Sequence, residues 1–445
     1  MIALAAWMNG ESVGTWRVER GVHRFVYDED WLESPRRRSL SLSLPITPSR
    51  EVRGSAVAHY FDNLLPDNER IRARLARRFA LRDSGTFTLL EAIGRDCVGA
   101  VQLMPDGAQP DGWNRVESLP LDDARTAAIL RAVATGTGPG AWDEDAEPFR
   151  ISIAGAQEKT GLLRLPDGRW ALPHGATPTT HILKLPLGLV GGSRRVDLGD
   201  SVANEWVCSR LLAALGLPVA RTEMACFEDQ QALVVERFDR AWMDGGRWIA
   251  RLPQEDFCQS LGLPPSAKYE ADGGPGLADG LRLLSGSRQG AKDASTFQQA
   301  QLAFWLMAAT DGHAKNFSIF LHAGDAYALT PLYDVLSMWP YIGDGPNQWR
   351  RQRARLAMAM RSRNVHWELE RIRTRHWHQW ALKNGGPVAW QAMLGLVDRV
   401  EAALERVQAE LPADFPPRTW AAIAAGMRWH VERFREGLRE FATLS

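Results

Sequence analysis

The sequence predicts an α+β protein of two lobes: a strand-rich N-terminal lobe carrying an extra N-terminal subdomain, followed by an all-helical C-terminal lobe. Three observations carry this expectation. Short runs rich in strand formers and bounded by turn residues occupy the chain up to about residue 250. From about residue 253 onward the pattern is almost wholly helical. Nine of the 18 tryptophans follow residue 300, where they read as the core of a helical domain. A length of 445 residues suits two or three structural units. We place them at 1–148, 149–250 and 251–445. A β lobe followed by a larger α lobe is one of the few arrangements that makes a cleft between the two.

The elements follow in order. IALAAWM, the turn Asn9-Gly10 and SVGTWRVE predict a hairpin, and SLSLPI alternates as a further strand. LPDNERIRARLARRF is helical in period, with Pro and Asp at its start. Residues 106–120 and 134–149 are rich in Gly, Pro and acidic residues, and the second stretch reads as a linker. RISIAGAQEKTGLLRL predicts two strands around a Gly-containing loop, and THILKLPL a third. DLGDSVANEWVCSRLLAALGLPVA is a helix capped by Asp200 or Ser201 and ended by Gly216 and Pro218. MACFEDQQALVVERFDR is a hairpin. STFQQAQLAFWLMAAT is an amphipathic helix whose Ser295 and Gln298 have capping-box spacing.

Composition excludes several classes. Lys plus Arg equals Asp plus Glu at 53 each, so no overall charge draws the chain to nucleic acid or membrane. The four cysteines are scattered without a CxxC pair, which removes a zinc ribbon or disulfide scaffold and suits a reducing cytoplasm. No apolar run reaches membrane-spanning length, and the start lacks signal-peptide features, so a soluble cytoplasmic protein is expected. Of the 53 basic residues only six are lysines, at 159, 184, 268, 292, 315 and 383. In so arginine-rich a chain, lysines are enriched where a compact ammonium cannot be replaced by a planar guanidinium.

The strongest chemical signal is Thr310-Asp311-Gly312-His313-Ala314-Lys315-Asn316-Phe317, a dense polar run at the end of an apolar helix. Asp311 and Asn316 have the D-x-x-x-x-N spacing of a phosphotransferase loop. There the Asp takes the proton of the attacking hydroxyl and the Asn binds Mg²⁺. Asp334, in PLYDV after a short hairpin, stands where a second metal-binding carboxylate should lie. Lys184 sits mid-strand in HILKLPL, where a nucleotide phosphate would offset the cost of its charge. Glu205 on the next helix is a candidate ion-pair partner for it. Gly155 to Thr160 could cover phosphates through main-chain N–H groups, although Glu158 before Lys159 departs from a Walker A loop. Glu236, Arg237 and Phe238 are placed like a hinge whose backbone reads adenine.

ISIAGAQEKTGLL, HILKLP, SVANEW, VVERFDR, ATDGHAKNFSIF and PLYDV, in this order and spacing, resemble the HipA serine/threonine kinase toxins. The likeness spans essentially the whole chain, including a KYEADGGPG segment at 268–276. It implies a two-lobed protein-kinase-like fold, ATP and Mg²⁺. By the same likeness Asp311 is the catalytic base, Asn316 and Asp334 are metal ligands, and Lys184 binds phosphate. Ala154, Gly155, Ala156, Gln157, Glu158 and Lys159 form the nucleotide loop, Glu236 to Phe238 the hinge, and His313, Lys315 and Tyr333 complete the nucleotide site. It further implies a HipB-like helix-turn-helix antitoxin as partner, with operator DNA reached mainly through it. An aminoacyl-tRNA synthetase, glutamyl foremost, is the implied protein substrate, and autophosphorylation at Ser152 the implied silencing step. These motifs show no departure from the family pattern, so an active enzyme is expected.

Two rival readings remain. Sugar, antibiotic and lipid kinases share the Asp/Asn/Asp logic, although no acceptor pocket is recognisable here. A binding role as co-repressor would use the surface, where Arg350 to Arg375 holds nine arginines against Glu368 and Glu370. A solvated helix or hairpin face is the plainer reading of that stretch.

Overall fold

A computed structural model describes residues 2–135, 157–190, 196–345 and 347–444. The chain forms two compact units, each drawn from separate stretches. The first comprises Met1–Leu185, Ala225–Ala267 and Ser318–Tyr327; the second comprises Pro186–Met224, Lys268–Phe317 and Ala328–Ser445. The division at 148 and 250 runs along the chain, whereas the units interleave.

The first unit contains a five-stranded antiparallel sheet in the order Glu51–Arg53, Val22–Tyr27, Glu11–Glu19, Ile2–Met8, Gln102–Pro105. The Asn9-Gly10 turn closes its first hairpin with φ of 46° and 82°, the positive values that a two-residue turn of this type needs. Trp16 is fully buried and stacks on Phe61 at 4.1 Å between ring centroids. Burying a ring of that size contributes about 1.5–3 kcal/mol. A six-stranded sheet follows, in the order Thr222–Phe227, Gln230–Glu236, His181–Lys184, Lys159–Arg164, Trp170–Pro173, Ser118–Leu121. Its core of Leu162, Leu183, Ala232 and Val234 is covered by Ile129 and Leu130 of the helix Asp123–Thr135.

The second unit is built on the helices Ser201–Ala214, Leu277–Ser285, Gly290–Met307, Thr374–Asp398, Val400–Ala409 and Pro417–Leu444. Trp305, Trp339, Trp377 and Trp380 are buried in its core, as the tryptophan distribution predicted. His430 stacks on Trp305 at 4.0 Å. No helix among the described residues is long and apolar enough to cross a membrane.

Four expectations need correction. The C-terminal part is not helical throughout: Gln254–Asp256 pairs with Ser318–Leu321, and Arg355–Arg361 pairs with Val365–Glu368. RLAMAMR is a short apolar run buried on both faces, a pattern that a strand and a helix segment share. Part of the charge in this basic stretch is answered within the unit. Arg355 meets Glu368 at 3.0 Å, Arg361 pairs with Glu270, and Arg351 lies 4.6 Å from the Trp429 ring. Second, SLSLPI is a turn closed by a Ser41–Leu44 bridge. Its serines bond the main chain locally: Ser43 N–H donates to Ser41 Oγ at 3.1 Å and Ile46 N–H to Ser39 Oγ at 3.1 Å, replacing a sheet ladder. Third, the helix expected from Ser295 starts a turn earlier, at Gly290, so Ser295 and Gln298 do not cap it. Finally, the helix after Asn63 starts at Glu69, where the side chain of Asn68 accepts from Arg70 N–H at 2.8 Å.

Candidate active site

The loop around Asp311 is positioned by the C-terminus of the helix Gly290–Met307. The carbonyls of a last helical turn lack intrahelical partners. Here Trp305 O accepts from His430 Nδ1 at 2.6 Å, Leu306 O from Trp339 Nε1 at 3.0 Å and Met307 O from Ser337 Oγ at 2.6 Å. Ala308 then turns left-handed, with φ 49°, and releases the chain into the loop. Within it, Asp311 O accepts from His313 N–H at 2.7 Å and from Asn316 Nδ2 at 2.7 Å. A Cβ on Gly312 would lie 2.6 Å from the Phe304 ring, so only glycine lets the loop cross there. The turn holds the Asp311 carboxylate exposed while His313, Lys315 and Asn316 are buried.

Burial holds the His313 imidazole below its ordinary pKa, against the opposing pull of the Asp311 carboxylate; Lys268 adds to the lowering and Asp334 opposes it. Burial thus favours the neutral ring, which stands in the field of both carboxylates. Its Nδ1 is buried and has no hydrogen-bond partner. Such an atom in a polar loop is what a bound ligand would satisfy.

Asp334 adopts φ 61°, the left-handed region that Asp tolerates better than most residues. Strain at a residue with a chemical side chain is a common mark of a functional site. The segment around it is pinned on every side. Leu332 N–H donates to Pro218 O at 2.8 Å, and Tyr333 Oη donates to Lys315 O at 2.8 Å. Asn204 clamps the main chain of Ser337 at both ends, donating from Nδ2 to its carbonyl at 2.8 Å and accepting its N–H at 2.9 Å. Sequence reasoning singled out SVANEW but gave Asn204 no role. The available signal was an amide on a helix buried on nearly every face.

Asn316 and Asp334 suit magnesium by donor chemistry. The Asn316 amide nitrogen is engaged with Asp311 O, which leaves its oxygen as the end that can meet a cation. Two protein oxygens, with the other positions filled by water and phosphate, is the arrangement magnesium favours. Among the described residues no three His, Cys, Asp or Glu side chains gather as an all-protein metal cage.

The remaining candidates, Glu205 apart, lie in the first unit. Lys159 and Lys184 face each other directly across neighbouring antiparallel strands, and Lys184 is buried. Like charges so placed repel. A phosphate between them would reverse the sign of that interaction. Gln157 Nε2 donates to Leu185 O at 2.6 Å and Leu185 N–H to Glu158 O at 3.2 Å, stitching the described end of the loop to the end of the Lys184 strand. The Glu158 carboxylate turns to Arg74 at 2.5 Å. Ser152, Ala154, Gly155 and Ala156 lie outside the described residues. Glu205 is buried on the helix Ser201–Ala214 of the second unit.

At the expected hinge the side chain of Arg237 serves the structure. It binds Asp239 at 2.9 Å, Thr179 Oγ1 at 2.8 Å and Cys97 O at 2.9 Å, with Asp96 at 3.4 Å. Its N–H donates to Thr180 O at 2.9 Å and its carbonyl accepts from Arg240 at 3.2 Å, so both of its main-chain groups are also engaged. The Phe238 ring meets Phe320 edge-on at 5.7 Å. Asp96, Arg237, Asp239, Arg240 and Arg251 together form a buried charge cluster that sequence reasoning missed, because Asp96 lies 141 positions from Arg237 in the chain.

Residues 4–104 match the HipA N-terminal domain, and residues 151–413 match the HipA-like C-terminal domain. A Sinorhizobium fredii protein named as putative kinase Y4mE is 35% identical over 365 residues, spanning 80% of this chain and 82% of its own. The serine/threonine-protein kinase toxin HipA of Shewanella oneidensis is 29% identical over 334 residues, spanning 71% of this chain and 70% of its own. A chain of the solved Shewanella oneidensis HipA, HipB and operator DNA complex superposes with a TM-score of 0.79, covering 98% of both chains at 24% identity. The likeness shows the α+β, kinase-like fold that the sequence predicted.

Proposed function

Because the chain belongs to the HipA family and is a serine/threonine protein kinase, we propose that it is the toxin of a type II toxin–antitoxin pair. In this reading it uses ATP and magnesium to phosphorylate a cytoplasmic protein, an aminoacyl-tRNA synthetase and foremost the glutamyl enzyme, and thereby arrests growth. A HipB-like helix-turn-helix protein would restrain it and carry it to operator DNA, where the pair represses its own operon. The observation that carries the reading is the exposure of Asp311 above an otherwise buried loop. A carboxylate presented in this way suits a hydroxyl on a macromolecule better than a small acceptor, which needs an enclosing pocket.

In the proposed reaction Lys159 and Lys184 hold the phosphates, and His313 offers a hydrogen bond from its buried Nδ1. Asp311 takes the proton of the incoming serine or threonine hydroxyl. A magnesium ion held by Asn316 and Asp334 would neutralise charge on the transferring phosphoryl group. Ser152 is the proposed site of self-modification. A phosphate there would add about 1.5–2 negative charges two residues before the nucleotide loop and, in this reading, silence the enzyme.

One experiment tests the function as a whole. Expressing the wild-type chain and Asp311→Asn in a bacterial host and comparing their phosphoproteomes should show growth arrest with the wild type alone. New phosphosites should appear on a tRNA synthetase and on Ser152. A phosphoproteome identical for the two strains would overturn the protein-kinase toxin reading. A second test addresses the nucleotide site. Lys184→Ala and Asp334→Ala should each weaken ATP binding in the presence of magnesium by about tenfold or more, since a charged hydrogen bond contributes roughly 1.5–3 kcal/mol. Unchanged calorimetric affinity in both variants would place the nucleotide elsewhere.

A further inference from the structure

We propose that Tyr269 is a positioning residue for phosphoryl transfer: its phenol holds one oxygen of the Asp311 carboxylate so that the other faces the acceptor hydroxyl. The inference rests on the reading of Asp311 as catalytic base. Tyr269 Oη donates to Asp311 Oδ1 at 2.6 Å, and this is the hydrogen bond that the Asp311 carboxylate accepts among the described residues. The loop bonds described above fix only the Asp311 main chain, because His313 and Asn316 both donate to its carbonyl. The carboxylate itself is exposed, and the loop bonds leave its rotamer to the side chain's own partner. A base must be held within hydrogen-bond reach of the proton that it takes, so its orientation bears directly on the rate.

The phenol can orient the base because it is itself held. Its ring meets the His313 ring edge-on at 4.9 Å, and the Lys268 ammonium lies 5.4 Å from its centroid. Lys268 O accepts Ala314 N–H at 3.1 Å, tying the segment to the catalytic loop. Tyr269 O accepts from Asp272 N–H at 3.0 Å and Gly274 N–H at 2.9 Å, which folds the segment into a tight turn. Next along, Glu270 pairs with Arg361 and accepts Ala359 N–H at 2.7 Å, anchoring the turn to the strand Arg355–Arg361. The KYEADGGPG segment is thus a braced arm that reaches the base from outside its own loop.

Tyr269→Phe tests the proposal, since it keeps the ring against His313 and removes only the hydroxyl. ADP release would be measured with ATP and magnesium, using a library of serine- and threonine-containing peptides as acceptor. The expected result is a kcat about tenfold lower, with KM for ATP and the thermal midpoint unchanged. In an Asp311→Asn background the same substitution should have no further effect, because residues that act as a unit are non-additive. A wild-type kcat in Tyr269→Phe would overturn the proposal. A raised kcat would overturn it as well and make the phenol a block on the base. The two readings fail separately: an active Asp311→Asn removes the base assignment itself. An inactive Asp311→Asn beside a wild-type Tyr269→Phe removes only the positioning role.

Discussion

Asp311→Asn is expected to lower phosphoryl transfer by about 10²-fold or more, the usual contribution of a positioned general base, with the fold intact. The amide is nearly isosteric with the carboxylate and its oxygen can still accept from Tyr269. The loop depends on Asp311 through its main-chain carbonyl, which His313 and Asn316 bind, and that group is untouched. Because the side chain is exposed, replacing it strands no buried partner. What is lost is the capacity to take a proton. Initial rates of ADP release, set beside a thermal melt, decide the matter. A variant that melts like the wild type and turns over at the wild-type rate would show that Asp311 is not the base.

The second large effect concerns stability. Asp96→Ala is expected to destabilise the first unit by about 3–5 kcal/mol, the range for removing one partner from a buried ion pair. Asp96 meets Arg240 at 2.9 Å and both Arg237 and Arg251 at 3.4 Å, and it accepts from Thr179 N–H at 3.1 Å and Thr179 Oγ1 at 2.7 Å. Without it, the three buried guanidinium groups of the cluster are left with Asp239 as their carboxylate. The unfolding midpoint should fall by roughly 10 °C. Burial alone would raise the Asp96 pKa, but Arg240, Arg237 and Arg251 together outweigh it and hold the carboxyl below its ordinary value. Asp239 is likewise held down by Arg237 and Arg240 against its burial. For carboxyls depressed in the folded state, the stabilisation is complete above the unfolded value of about 4 and is lost as pH falls through the folded pKa. Acid melts of the wild type should therefore steepen below about pH 4, and those of Asp96→Ala should steepen less. A melt of Asp96→Ala matching the wild type at pH 7 would show that the cluster contributes little.

Much of the candidate site was legible because its chemistry is local. Asp311 to Asn316 is one loop, and its spacing, its place after an apolar helix and the following Asp334 together pointed to a base and a metal ligand. The Asn9-Gly10 hairpin was legible for the same reason, since a two-residue turn is specified by two residues. The opposed pair Lys159 and Lys184 was half legible. Each lysine stood out in an arginine-rich chain, but their direct opposition depends on strand register. The misreading at SLSLPI and the strands inside the part expected to be all helical have local causes: serines bonding the nearby main chain replace a ladder at SLSLPI, and RLAMAMR is a short apolar run that fits a strand or a helix.

The sequence by itself therefore determined the reaction class and the candidates for base and metal ligands, because each motif is encoded within a few consecutive residues. The tertiary structure decided which distant groups stand beside them. It brought Tyr269 to the Asp311 carboxylate across 42 positions of chain, and Asn204 to Ser337 across 133. It also drew the side chain of Arg237 into a buried charge cluster with Asp96, 141 positions away. Such pairings carry no local signature, because their energy exists only once the intervening chain has folded and excluded water from around the charges.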